Sequence, residues 1–381
     1  MRTTVWKVLK IGAFGLGLCF LASASLDLVK VNPDLCRHDQ VCPSIGTRLD
    51  VRWNDVETAI DAIRERQKAN VTPAVERVPA GERTLSVMVY NIKGLPESFR
   101  GNTHPDAFTI IGKNLAARRR AGTAPDIVLI QEAFTHRSRE IAALSGYKHM
   151  IRGPLRPGAD TAWIARPLLY IWKAAWDRSV RLEGSGLMIL TDLDIEAVRP
   201  VPFGHKACAG SDCFANKGLL YARVRLPNSD TWIDVMDTHL NSNASSGAGI
   251  RSILFAHERQ VEKIGGVLAD AGRDGDALIL GGDFNSNPET VRYAYLRDRL
   301  ALADANTDCL VRRACDIPKD TDLQSFWRDN ELRQFYRQGA GVTLQPIRAT
   351  LDFTRPVDGK PLSDHQAVEI TYLVRPVGRP L

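Results

Sequence analysis

Between residues 84 and 373 the chain has no internal repeat, no low-complexity tract and no proline-rich linker. Repeat arrays and tethered multidomain layouts are therefore excluded, and one domain is expected there. Long apolar runs are missing too: the uncharged stretch at the start covers only Ile11 to Ser25, whereas a membrane span needs about 20 apolar residues. Cysteine is scarce, seven in 381 residues, and no histidine or cysteine stands at two-residue spacing beside the paired ones, so a zinc site is not expected. Neither charge sign dominates. A net charge of +6 describes a solvated surface, with mild support for phosphate-bearing or anionic partners. With 44% apolar and 25% charged residues, the composition is that of an ordinary globular protein long enough to bury a full core.

The first 25 residues differ in kind from the rest. Arg2, Lys7 and Lys10 precede the uncharged run, and Ala22-Ser-Ala24 is a small-residue cleavage pattern. Residues 1–25 read as a secretory signal peptide, with an uncleaved anchor through residues 5–25 as the alternative. The expected location is secreted or periplasmic, or membrane-anchored. Removing Cys19 with that segment leaves Cys36 and Cys42, Cys208 and Cys213, and Cys309 and Cys315 in close pairs, which fits an oxidising compartment, although six cysteines permit other connectivities. Residues 26–83 are expected to form an irregular segment with one helix around Val56, Ala59, Ile60 and Ile63, capped by Asn54 or Asp55. Residues 374–381 form a tail.

Within the domain, apolar runs that end in polar residues carry the chemistry. Leu85–Tyr90 reads as a strand delivering Asn91, and Asp126–Ile130 as one delivering Gln131 and Glu132. A carboxylate after four apolar residues is costly to bury unless paired or bound to a cation, which makes Glu132 the foremost metal-ligand candidate against the alternative of a structural ion pair. Trp232–Asn241 alternates as a strand and places His239 near its end, and Lys217 stands just ahead of another strand. Ala277–Leu280 is a buried strand whose Gly281 and Gly282 allow close backbone approach. Asp283 and Asn285, two apart on extended backbone, are expected on one side. A carboxylate beside an amide suits work on a phosphate. Ser363, Asp364 and His365 precede the last strand, and a histidine beside an aspartate is a candidate general base. Residues 106–121 read as a helix closed by Gly122, with Arg118–Arg120 on a solvated last turn, and residues 250–270 as an amphipathic helix. Residues 161–176 hold three of the seven tryptophans and read as an insertion packed on the domain or as an interfacial segment.

Asn91, Gln131-Glu132, Ser185-Gly186, Thr238-His239-Leu240, Gly282-Asp283-Phe284-Asn285 and Ser363-Asp364-His365 occur in the order and spacing of the endonuclease/exonuclease/phosphatase, or deoxyribonuclease I-like, superfamily. Val89–Lys93 and Gly210–Gly218 most resemble the secreted bacterial sphingomyelinases. The resemblance implies an α/β fold over residues 84–373: a four-layer sandwich of two mixed β-sheets packed face to face, with helices outside. It further implies an exported, monomeric, Mg²⁺-dependent phosphodiesterase, with Mn²⁺ or Ca²⁺ as other hard ions. Glu132, Asn91 and Asp364 would hold the metal; Asp283 and Asn285 would hold the attacking water and the scissile phosphate. His365 would be the general base, His239 would stabilise the phosphate or assist the leaving group, and Asp212 and Lys217 would belong to the sphingomyelinase-like part of the substrate-phosphate site.

The expected substrate is a phospholipid head group at a membrane surface, with nucleic acid as the alternative and a catalytically inactive binding protein as a third reading. The sequence departs from the family pattern at three places. Glu331–Tyr336 lacks the aspartate that orients the last histidine, leaving Asp329 or Asp352 for that part. The segment after His239 lacks the cysteine that the sphingomyelinases pair with the one at the position of Cys208, so Cys213 would take that part. No aromatic hairpin lies between Pro288 and Ser363.

Overall fold

Strand β1 (Arg83–Asn91) alternates apolar side chains on both faces, Val87 and Val89 to one side and Met88 and Tyr90 to the other, and all four are buried. A strand buried on both faces needs a layer above and a layer below. The computed structural model supplies both; it describes residues 53–68, 83–156, 181–227, 229–271, 275–288, 290–311 and 315–377. The expectations for residues 1–52, including the leader and the Cys36–Cys42 pair, and for the tryptophan-rich residues 161–176 lie outside the described residues.

The remaining strands are β2 (Ile127–Gln131), β3 (His149–Arg152), β4 (Met188–Thr191), β5 (Asp194–Pro202), β6 (Gly218–Arg225), β7 (Trp232–His239), β8 (Ala277–Asp283), β9 (Ala303–Asp304), β10 (Leu332–Arg337), β11 (Val342–Asp352) and β12 (Ala367–Pro376). They form two six-stranded mixed sheets, in the orders β11-β12-β1-β2-β4-β3 and β5-β6-β7-β8-β10-β9. Each sheet contains one parallel pair, β1 with β2 and β7 with β8, among antiparallel neighbours. Helices α1 (Trp53–Lys68), α2 (Ala107–Arg120), α3 (His136–Ser145), α4 (Ile250–Ala271), α5 (Val291–Leu300) and α6 (Ala305–Val311) surround them.

Three apolar layers hold this arrangement. Val87, Val89, Ile127, Leu129 and Ile189 of the first sheet meet Leu220, Ala222, Ile233, Val235 and Ile279 of the second. Phe108, Ile111 and Leu115 of α2 and Ile141 of α3 cover Met88, Tyr90, Val128 and Ile130, while Val261, Ile264 and Leu268 of α4 and Leu296 of α5 cover Met236, Leu278 and Leu280. Each such aliphatic side chain contributes about 1.5–3 kcal/mol on burial. The four-layer sandwich is thus observed. Gly281 shows how close the sheets come: a Cβ there would lie 2.6 Å from Leu129 and 2.8 Å from Val89.

Two local expectations are corrected. Helix α1 begins at Trp53, so Asn54 and Asp55 fall in its first turn rather than capping it, a place where acidic groups suit the helix dipole. Its Ile60 and Ile63 belong to the inter-sheet core together with Ala305, Cys309 and Leu310 of α6. The arginines ending α2 are not simply solvated. Arg118 donates to Asp352 at 3.2 Å and to Glu369 at 2.7 Å, and Arg119 pairs with Asp192, so the run ties the helix to neighbouring strands. Cys208 bonds to Cys213 and Cys309 to Cys315.

His257 lies on the buried face of α4, and burial, with Arg292 second, holds its imidazole down at about 3. The unfolded chain protonates this ring below pH about 6.5, whereas the folded chain resists, so its contribution is full above that pH and is lost as pH falls towards 3. His257→Leu is expected to remove about 2 kcal/mol from the stability difference between about pH 7.5 and pH 5. Urea unfolding at both pH values measures it; an unchanged difference would contradict the assignment.

Candidate active site

The parallel pairs end at one place. In the first sheet Asn91 and Gln131 are register partners at the carboxyl ends of β1 and β2, and in the second His239 and Asp283 are partners at the ends of β7 and β8. Because the sheets stack face to face, these four ends meet. The Asn91 amide donates to Asp283 at 2.8 Å and to Glu132 at 3.1 Å, joining carboxylates that are 151 positions apart (283 − 132). Just beneath, the Gln131 amide donates to the buried Asp237 at 2.6 Å, a second bridge between the sheets.

The backbone turns sharply where it reaches this cluster. Lys93, Glu132 and Asn285 all take positive φ (48°, 62° and 48°), a conformation costing about 1–3 kcal/mol for a residue with a side chain. Asn285 therefore does not continue the strand, as expected from extended spacing; β8 ends at Asp283. The Asn285 N–H donates back to Asp283 Oδ1 at 2.9 Å, and its amide donates to the Leu240 carbonyl at 3.0 Å. Gly186 is packed against Glu132: a Cβ on it would lie 3.0 Å from the Glu132 Cα.

Asp283 is the hub. Its Oδ2 lies 3.8 Å from Nε2 of His239 and 3.8 Å from Nε2 of His365. Burial alone would raise its pKa, but His239, His365, the Asn91 amide and the Asn285 N–H outweigh burial and hold it below the usual carboxylate value. Burial, then Lys217, pushes His239 down to about 4, so this ring is neutral near pH 7. The Lys217 ammonium is buried, donating to Asp212 at 3.0 Å and to the Leu240 carbonyl at 2.7 Å. Asp364 pairs with Lys93 at 2.7 Å and lies 3.9 Å from His365.

Asp352 is engaged by Arg118 and is not among the carboxylates within 4 Å of His365, which are Asp283 and Asp364. The Asp329 side chain lies outside the description. A group that the sequence reading passed over is Glu331, immediately before β10. Its carbonyl accepts the Phe284 N–H at 3.0 Å, and its carboxyl is pushed up by burial and by Asp283, with His365, Arg292 and Lys217 opposing. Glu331 opens the stretch Glu331–Tyr336, where an aspartate is expected and a glutamate stands immediately ahead of β10. Arg292 was missed as well: its guanidinium donates to the carbonyls of Asn241 and Asn285 and so ties the loops after β7 and β8 to α5.

Among the described residues, no three His, Cys, Asp or Glu side chains form a ready-made ligand set. A small hard cation that keeps several waters needs only one or two carboxylates. Glu132 fits that requirement. The residue is partly exposed, but its Oε2 is out of solvent and has no hydrogen-bond partner, and burial pushes its carboxyl up against the opposing Asn91 bond. His239 Nδ1 and the hydroxyls of Ser242 and Ser286 are likewise buried without partners. A buried polar atom without a partner carries a desolvation cost, and a bound cation or phosphate would relieve it for these groups.

The family model described as "Endonuclease/Exonuclease/phosphatase family" matches residues 88–354, more than half of the chain. The chain belongs to this family. Among curated relatives of the endonuclease/exonuclease/phosphatase chain are the sphingomyelinases of Mycobacterium tuberculosis and Mycobacterium bovis, 26% identical over 314 residues. The match takes in 80% of this chain but only 56% of each relative's length. Similar solved structures include a beta toxin from Staphylococcus aureus with bound magnesium ions (TM-score 0.53, 15% identity). Sphingomyelinase C from Streptomyces griseocarneus is another (TM-score 0.51, 19% identity). Both alignments cover 76% of this chain and 99% of the other, and at such identities they show a common fold.

Lys217 and Asp212 form a buried ion pair, and breaking one from a single side leaves the partner charge uncompensated. Lys217→Met is expected to cost about 3–5 kcal/mol, and Lys217→Met combined with Asp212→Leu much less. Chemical denaturation of both variants checks this; equal losses would show that the pair is not coupled.

Proposed function

We propose that the chain is an exported phosphodiesterase that hydrolyses a phospholipid head group in the manner of a sphingomyelinase, with Mg²⁺ or another hard divalent ion as cofactor. The observation that carries the reading is the position of Asp283, joined to Glu132 through Asn91 and flanked by two histidines at 3.8 Å. One carboxylate with an unpartnered oxygen, one ionised carboxylate and two imidazoles at a shared strand end suit attack of water on a phosphate. Glu132 would hold the ion, with Asn91 and Asp364 beside it; when bound, the ion neutralises charge on the phosphate oxygens.

The chain's own groups then divide the work. Asp283 and Asn285 orient the water and the scissile phosphate. His365 takes the water's proton as the oxygen bonds to phosphorus and the bond to the leaving oxygen breaks, with Asp283 and Asp364 as the carboxylates beside that imidazole. His239, neutral because of its burial, offers an N–H to a phosphate oxygen or to the leaving group without bringing a charge. Lys217 adds a fixed positive charge, prepaid by Asp212. Export is read from residues 1–25 and the close cysteine pairs, and a monomer is the simplest assembly.

Purified protein is expected to release phosphocholine from sphingomyelin with Mg²⁺ and to lose this activity in EDTA. Asp283→Ala and His365→Ala should each reduce turnover by at least about 10³-fold while the folded circular dichroism spectrum persists. Glu132→Gln should abolish the rise in Tm on adding Mg²⁺. Full turnover by the Asp283 or His365 variant would overturn the site assignment, and nicking of plasmid DNA without lipid cleavage would move the enzyme to the nucleases.

A further inference from the structure

The row of side chains that β2 sends between the sheets reads Ile127, Leu129, Gln131, and the row that β7 sends to meet it reads Ile233, Val235, Asp237. Each row is apolar until its last member. Gln131 and Asp237 are fully buried and joined by the 2.6 Å bond from amide to carboxyl described above, and the same amide nitrogen donates to the Leu129 carbonyl at 3.3 Å. One oxygen is left over on each partner: Gln131 Oε1 and Asp237 Oδ2 lie out of solvent without a hydrogen-bond partner.

Two leftover acceptors on groups already bonded to each other call for a donor between them. An ionised carboxylate has none to give, whereas a carboxylic acid has one O–H. The surroundings favour the acid. Burial raises the Asp237 carboxyl well above the usual carboxylate range, and Asp283 on the neighbouring strand adds to the rise, against the Gln131 amide and the N–H groups of Thr238 and Met188; no cation stands among these influences. A buried carboxylate without a cation takes up a proton rather than keep its charge. Asp283, by contrast, is held below the usual carboxylate value. The two aspartates are thereby set apart, with charge in the catalytic cluster and none beneath it.

We infer that Asp237 is a positioning residue for the hydrolytic centre: as a carboxylic acid it donates its O–H to Gln131 Oε1 while accepting from the Gln131 amide, and this two-bond clasp between the sheets fixes the left-handed turn at the next residue, Glu132. The inference rests on the phosphodiesterase reading above and deepens it. Glu132, at a φ of 62°, is the residue that would hold the cation, and the clasp ties the chain immediately before it to the strand that carries His239.

Carbon-13 NMR of protein labelled at aspartate Cγ, in EDTA, reads the proton directly. The resonance absent from Asp237→Asn is expected at the position of a neutral acid and to stay there from about pH 5 to about pH 8, where an ordinary aspartate with a pKa of about 4 is ionised. A carboxylate position at neutral pH would overturn the inference. Function is read from cleavage of bis(p-nitrophenyl) phosphate and from the Mg²⁺ concentration that gives half of the rise in Tm. Asp237→Asn keeps a neutral group with a donor and an acceptor, so its kcat is expected within about twofold of wild type. Asp237→Leu is expected to lower kcat about tenfold or more at unchanged KM and to raise the Mg²⁺ midpoint about tenfold. Gln131→Met removes the clasp from the other side and carries the same expectation, so either variant decides if the other does not fold. Equal losses in Asp237→Asn and Asp237→Leu would show that an ionised carboxylate is needed, and wild-type behaviour of Asp237→Leu that the clasp positions nothing; each overturns the inference. If the wild type cleaves no diester, the phosphodiesterase reading fails, and the NMR signal and the Mg²⁺ midpoint still judge the clasp.

Discussion

A single amide, that of Asn91, holds the two halves of the site together. It donates from the first sheet to Asp283 of the second and, on its own side, to Glu132. The bond to Asp283 exists only if the sheets are stacked in this register, with β1 beside β2 and β7 beside β8 ending at the same level. The inter-sheet core sets that level, and Gly281 permits the short separation. Packing and chemistry are therefore one constraint: whatever shifts the sheets separates the carboxylates.

The same end of the sandwich carries a share of the structure's costs. Positive φ at Lys93, Glu132 and Asn285, a lone carboxylate oxygen on Glu132 and an unpartnered Nδ1 on His239 each lower stability. Three apolar layers elsewhere offset them. Such costs persist at functional sites because the surrounding structure over-determines the geometry, and a bound charge relieves part of them.

Much of this was legible in the chain. Buried strands announce themselves as apolar runs, and a polar residue at the end of one is conspicuous, which is how Asn91, Glu132, His239 and Asp283 stood out. Family resemblance supplied the layer order, since periodicity alone does not say which strand lies beside which. The direction of Asn285 was not legible, because extended spacing cannot anticipate a left-handed turn stabilised by a bond back to Asp283. Glu331 and Arg292 were hidden for another reason: they sit in charged segments, and only the tertiary fold turns those charges inward. Arg118 misled likewise, as a basic run at a helix end usually faces water, whereas here Glu369 and Asp352 reach it from β12 and β11.

Strand β12 is inserted between β11 and β1, so the first sheet is completed by a segment that follows every other described strand in the chain. His365 stands two residues before that strand. A chain without residues 367–376 lacks the partner that fixes β1, and with it the seat of Asn91. The meeting of Asn91 with Asp283 is in this way made to wait for a strand far along the chain, and a product cut short of that strand has no such meeting point.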